Sequence, residues 1–234
     1  MDQDWISLSF LHWRYPPEKV QPLLPRDVCV ETFDSAAWVA IVPFLLRVRL
    51  PGGPAISWVG VFPETNVRTY VRGPDGRSGI WFLSLDAPRR LAVWAARRTY
   101  RLPYRVAAMH MRCDDRVRAY ASLRLAGPGS GASSRVRVAV GEPIASADVT
   151  PRERFLVDRW RLYAPMGGGV GTAAVEHDPW VLRRAEVEDV DTRLLTAAGL
   201  PSPPPDPLAH ACGDVHALLS PLTRCDSQQG RSGA

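Results

Sequence analysis

The sequence predicts an α+β fold built mostly from antiparallel strands, and three observations carry that prediction. Short runs of apolar, β-branched and aromatic residues recur along the chain, separated by Gly, Pro, Asn and Asp turns. Helical periodicity is confined to a few segments. Nowhere do strands and helices alternate in the order of a doubly wound parallel sheet.

The first apolar, β-prone run spans residues 5–12. Pro16-Pro17 then opens a short helix near 16–25, because proline is tolerated in a first helical turn. Strands at 28–33 and 37–48 flank Asp34-Ser35, a hairpin turn, and Pro43 inside the second run predicts an edge or a bulge. PGGPA (51–55) reads as a loop. The strongest hairpin joins TNVRTYVR (65–72) to SGIWFLSL (78–85) through GPDG. A helix is predicted over 88–99, with Leu91, Val93, Trp94 and Ala95 as its apolar face. Residues 104–113 and 116–125 form an antiparallel pair across Asp114-Asp115. GPGSGASS (127–134) is a loop, and RVRVAV (135–140) alternates as a half-buried strand does.

Thr150 is a favourable N-cap for a helix over 151–163. MGGGVG (166–171) is a loop and TAAVEH (172–177) a strand. The pattern at 180–190 fits helix or strand equally. A helix at 191–199 stops at Gly199 before Pro201, PSPPPDP is a stiff connector, and 211–219 is a last strand. One domain is expected over 1–221, with a disordered tail over 222–234.

The chain has 234 residues, 46% of them hydrophobic and 23% charged, enough for a substantial core without disulfide or metal. Its 29 basic residues give a net charge of +5, yet Lys19 is the only lysine. Coding bias is the simplest account of the arginine excess, since net charge speaks to solubility rather than to site chemistry. Cys29, Cys113, Cys212 and Cys225 fit neither a CxxC redox motif nor a zinc ribbon. No segment has the length of a membrane span, and MDQDWISLSFLHW is not a secretory signal. The expectation is a cytoplasmic protein with reduced thiols and no membrane partner. Aromatic–basic interleaving is missing, so no nucleic-acid partner is expected. MGGGVG lacks the features of a phosphate loop, HACGDVH matches no zinc spacing, and neither cofactor nor metal is predicted.

Seven stretches, in order, carry a resemblance: FLHWRYPPEKVQPLLP (10–25), FDSAAWVAIVPF (33–44), FPETNVRTYVRGPDG (62–76), IWFLSLDA (80–87), LPYRVAAM (102–109), RFLVDRWRLY (154–163) and VEHDPWVL (175–182). Together they resemble the YqjF-like family of uncharacterised proteins, a branch of the acetoacetate-decarboxylase-like superfamily. The resemblance implies a curved sheet or β-cone around an internal cavity, with a few outer helices, and such an enclosure can hold a small ligand. The decarboxylases use a lysine that forms a Schiff base with a ketone, its pKa lowered by its pocket. Lys19 lies on the early helix, the middle strands offer no lysine, and arginine does not deprotonate. The catalytic lysine therefore carries over to no residue here.

The candidate site starts from strand periodicity. Glu64, Asn66, Arg68 and Tyr70 share one face of FPETNVRTYV, and Thr65, Val67, Thr69 and Val71 the other. An acid, an amide, a guanidinium and a phenol in a row suit an enclosed polar cavity; the competing reading is an ion pair on a solvated sheet face. The segment resembles the acidic stretch of the decarboxylases, which implies a pocket carboxylate at Glu64. Tyr100 and Tyr104 flank Leu102-Pro103; aromatic residues with a polar tip can line a pocket, but buried tyrosines bonded to backbone are the commoner reading. Arg159 and Tyr163, at i and i+4 on the helix read over 151–163, share a face on which Arg159 either enters the cavity to meet an anionic ligand or stays on the solvated surface, two readings of equal weight; Arg159 and Tyr100 are the nominated partners of Glu64 and Arg68. Asp86 reads more readily as a cap for the next helix than as a cavity group. His12, His110 and His177 read as structural. The function expected is binding, or non-Schiff-base chemistry, of a small organic acid or ketone in the cavity. The other reading is a non-catalytic interaction or scaffolding domain. The sequence assigns no catalytic residue and no oligomeric state.

Overall fold

A computed structural model gives the fold and describes residues 1–49, 60–114 and 116–225. The loop read at 51–55, one residue of the Asp114-Asp115 turn and most of the expected tail lie outside the described residues.

The run read as one strand at 5–12 is two, β1 (Asp2–Ile6) and β2 (Ser9–Tyr15), divided at Ser7, whose φ of 53° turns the chain. The first helix is one turn, α1 (Pro17–Val20), continued by a 3-10 turn over Gln21–Leu23. After the short strands β3 (Cys29–Val30) and β4 (Thr32–Phe33) come the long β5 (Ala36–Arg49), β6 (Val61–Arg72) and β7 (Ser78–Ala87), then α2 (Arg90–Thr99). β8 (Tyr104–Cys113), β9 (Val117–Arg124) and β10 (Ser133–Pro143) follow as a meander.

The helix read over 151–163 is shorter. α3 (Pro151–Val157) starts on a capping box formed by Thr150 and Glu153 and ends at Asp158. Residues beyond it form β11 (Arg161–Met166), which turns through Gly167-Gly168 into β12 (Gly169–His177). The segment that fitted helix or strand is β13 (Leu182–Thr192), so the following helix shrinks to α4 (Leu194–Ala197). β14 (Leu208–Cys212) and β15 (Val215–Leu219) replace the single last strand. Thr223 and Arg224, placed in the tail by the sequence, form β16 and pair with Gly171 and Thr172 of β12.

The strand ladder closes on itself twice. One ring runs β5, β6, β7, β11, β12, β15, β1 and back to β5. A second leaves β7 by β8 and returns to β5 through β9, β10, β13, β14 and β2. The two share the wall β5–β6–β7. Every pairing is antiparallel except β7 with β8 and β7 with β11.

Pro43 shows how this works locally. It sits inside β5, neither at an edge nor at a bulge, opposite Thr65. On its other side β5 pairs through residues 37–41 with β2 and through residues 45–49 with β1. Proline, with no N–H to offer, falls in the gap between those two partners. Because β5 is in the shared wall, both its faces are covered. Trp38, Ala40, Val42, Phe44 and Leu46 enter the first core, and Ala37, Val39 and Ile41 the second.

Candidate functional site

β6 alternates as its sequence predicts. Val67 and Val71 pack into apolar clusters on one face, and Thr69 donates to the Trp38 carbonyl at 2.8 Å. Glu64, Asn66 and Arg68 point the other way, into a cavity of about 70 Å³ inside the first ring. All three are buried. Trp5 of β1, Val42 and Phe44 of β5, Ile80 and Phe82 of β7, Leu162 of β11, Val175 and His177 of β12 and Leu219 of β15 complete its ring wall. Tyr100, Leu102 and Tyr104 close one side, and Arg159, just after α3, another.

A register shift in β7 decides what faces this space. Val67 pairs with Ser84, but the next residue, Arg68, pairs with Phe82, so Leu83 is an extra residue. A bulge of this kind reverses the facing of the side chains beyond it. Ile80 and Phe82 face the cavity before it; Leu85 does so after it. Asp86 is turned away. It is neither a helix cap nor a cavity group but is fully buried against Arg124, whose Nη2 lies 2.7 Å from Oδ1 and also reaches Ser84 Oγ at 3.1 Å.

At one end of the cavity, Tyr104 donates to Glu64 Oε2 at 2.7 Å. Burial pushes the Glu64 carboxyl up to about 7, with a smaller push from Asp86 and opposition from the Tyr104 hydrogen bond. The Tyr104 phenol moves well above its usual range, by burial and by the facing carboxylate. Asn66 comes next, its Oδ1 buried and without a hydrogen-bond partner among the described residues.

At the far end lies Arg68. Its guanidinium stands over Phe10 at 5.4 Å and Tyr70 at 5.7 Å, and Nη2 reaches the Leu156 carbonyl at 3.4 Å. Its Nε is buried without a partner, and no carboxylate pairs with it among the described residues. His177, stacked on Trp160 at 4.2 Å and near Trp180 at 4.4 Å, borders this end. Burial holds its imidazole below the usual range, and the Arg68 charge adds to that.

The other expected site residues are placed differently. Tyr70 is fully buried behind Arg68, and its hydroxyl lies 2.8 Å from His12 Nε2. Burial, then the Arg68 charge, hold His12 neutral. Tyr100 lines the cavity but donates to the Ser220 carbonyl at 3.2 Å. Arg159 lines it too, yet its Nη1 donates to Glu31 Oε2 at 2.5 Å and its Nε to the Phe155 carbonyl at 2.7 Å. Neither Tyr100 nor Arg159 is therefore the partner of Glu64 or Arg68. Nor do Arg159 and Tyr163 share a helical face, since α3 has ended before both. Tyr163 faces outward from β11 and donates to Asp75 Oδ1 at 2.6 Å. The groups that sequence reasoning missed are Glu31, which holds Arg159, and the aromatic border of Trp5, His177 and Trp180. No local pattern marks them, because contacts between segments distant in sequence bring each to the site: Trp5 and His177 sit on paired strands, while Glu31 and Trp180 lie in the connections between strands. Among the described residues no group of three His, Cys, Asp or Glu side chains is placed to hold a metal ion. No helix there is long and apolar enough to cross a membrane.

With this geometry in hand, comparison with known proteins finds three kinds of relative. The family DUF2071, described as "Uncharacterized conserved protein", matches residues 2–216. The uncharacterized protein YqjF of Bacillus subtilis (strain 168) is 32% identical over 225 residues, covering 96% of this chain and 92% of that protein. Among solved structures, an acetoacetate decarboxylase-like enzyme from Sphingomonas wittichii RW1 superposes with a TM-score of 0.67 at 13% identity, covering 97% of this chain and 93% of that one. The enduracididine biosynthesis enzyme MppR, complexed with pyruvate, gives 0.64 at 13% identity over 95% and 90% of the two chains. At these identities the two structures establish the shared fold, that of acetoacetate decarboxylase-like proteins.

Proposed function

The chain belongs to the DUF2071 family, and from that premise we propose that it binds a small organic acid or ketone in the first-ring cavity, with Arg68 holding the anionic or carbonyl oxygen and Glu64 exchanging a proton with the ligand. The observation that carries this reading is Arg68, a buried cation bonded to the Leu156 carbonyl and to the Tyr70 hydroxyl, with no carboxylate partner among the described residues. An uncompensated charge in an apolar interior costs several kcal/mol, and a ligand carboxylate offsets that cost. Arginine's planar donors suit such a group. Asn66 lies between Arg68 and Glu64 and supplies a further polar contact.

Glu64 gives the site its chemistry. A carboxyl raised to about 7 holds and releases a proton near neutral pH, as a general acid or base must. Tyr104 orients it. No Schiff base enters this proposal, because Lys19 is the only lysine and is exposed on α1, outside both rings. MppR, which shares the fold, has been solved with pyruvate, and a ligand of that size suits a cavity of about 70 Å³.

The test is a thermal-shift panel of small acids and ketones against the wild type, Glu64→Gln and Arg68→Met. At least one acid should raise the wild-type melting temperature, and Arg68→Met should abolish that shift. A wild type that responds to none of the panel would sink the reading.

A further inference from the structure

The cavity is bordered by two arginines, but only one has its charge free. Arg159 is locked: its plane stacks on Phe155 at 4.3 Å, its Nε is held by the Phe155 carbonyl, and its Nη1 is held by Glu31. Glu31 cannot readily swing away. Its other oxygen accepts from Arg72 Nη2 at 2.8 Å and from Ser78 Oγ at 2.7 Å, and its backbone N–H donates to the Tyr70 carbonyl at 2.9 Å. Arg68 and Arg159 both stand within 6 Å of the centroid of the Tyr70 ring. Without Glu31, two cations would border one small cavity, an arrangement made for a doubly charged ligand.

Resting on the reading above, we propose that Glu31 is the specificity-determining residue that sets the ligand's charge: by neutralising Arg159 it leaves Arg68 as the single free cation, so the cavity takes a monoanion and rejects a dianion. The remaining lining fits this charge balance. Most of the wall is apolar, His177 in it is held neutral chiefly by burial, and below about pH 7 the Glu64 carboxyl keeps its proton, so it adds no negative charge to the cavity. A second ligand carboxylate would enter this interior without a counter-charge, at the cost that attaches to any unpaired buried ion.

Butyrate and succinate, similar in length, differ by that one carboxylate; at about pH 6.5 butyrate is ionised, succinate is mainly the dianion and Glu64 is mostly protonated. Isothermal titration of each into the wild-type protein should show butyrate bound more tightly by on the order of tenfold or more, the scale of one uncompensated charge. Glu31→Gln should shift the ratio toward succinate by a similar factor. The double variant Glu31→Gln with Arg159→Gln should restore the wild-type ratio, a result that a merely structural role for Glu31 would not produce. Circular dichroism checks that each variant is folded, and the wild-type comparison stands even if the variants are not. Equal binding of the two acids by the wild type, or an unchanged ratio in folded Glu31→Gln, overturns the proposal while leaving the cavity's ligand reading intact. Binding of neither acid removes both.

Discussion

Two buried arginines, Arg68 and Arg124, should respond to the same substitution with opposite signs. Arg68→Met replaces a guanidinium that is 8% exposed, bonds the Leu156 carbonyl at 3.4 Å and also bonds the Tyr70 hydroxyl. Its contacts with the Phe10 and Tyr70 rings are worth about 0.5–1 kcal/mol each, and its two hydrogen bonds about 1 kcal/mol each. Against these stands a desolvation cost of several kcal/mol for a buried ion. The ligand-free protein should therefore gain roughly 1–2 kcal/mol on Arg68→Met. In a chain of this size that is a rise of about 2–8 °C in melting temperature. Arg124→Met removes instead the counter-charge of Asp86, a carboxylate with no exposure, and also a bond to Ser84. Breaking such a pair costs about 3–5 kcal/mol. Urea denaturation of the two variants, without added ligand, measures both changes. If Arg68→Met destabilises the protein by as much as Arg124→Met does, Arg68 is structurally compensated and the argument that it awaits an anion is wrong.

Three further outcomes follow from the geometry. A methyl group at Gly73 would lie 2.2 Å from Tyr163 Cε1, so Gly73→Ala should cost about 1–3 kcal/mol by overpacking, most of it relieved in a Tyr163→Ala background; denaturation midpoints of the two single variants and the double variant test this. Glu64 has a folded pKa near 7, above its ordinary 4.5, so the folded state holds a proton that the unfolded state releases. Its contribution to stability is intact below about pH 4.5 and falls as the pH rises to 7. The gap between wild type and Glu64→Gln should therefore change across that window by on the order of 3 kcal/mol, with the wild type losing ground at the higher pH; a pH-independent gap contradicts it. Borohydride with acetoacetate should trap no adduct on the protein, and Lys19→Ala should leave any activity unchanged, as mass spectrometry and assay of that variant will show.

What the sequence revealed of the fold follows the range of the signal. The 65–85 hairpin was legible because its turn chemistry and alternation are local, and the polar face Glu64–Asn66–Arg68 followed from the same period of two. Thr150 marked the start of α3 for equally local reasons. The end of α3 was not legible. RFLVDRWRLY keeps helical spacing, but Leu162 and Tyr163 pair in parallel with Ile80 and Trp81, a contact between distant segments that no local pattern announces. The error placed Arg159 and Tyr163 on one face and hid the partnership of Arg159 with Glu31. Asp86 failed differently: its direction depends on one extra residue in β7, and nothing in IWFLSLDA marks Leu83 as the bulge. The closed architecture came from the ordered set of family-like stretches, since the rings depend on pairings across most of the chain.

The seam of the first ring has a consequence for biosynthesis. β1 is flanked by β5 on one side and β15 on the other, and Asp2 pairs with Leu218. On a ribosome, the cavity wall cannot be completed until the last strands have emerged. Until then β1 and β12 present unpaired edges, and the Arg68 face of β6 lies open to water. Pairings this distant in sequence are slow to form, and open edges invite association with other nascent chains. Truncation before β15 should therefore yield aggregated protein even though the second ring, which closes through β14, contains every strand it needs.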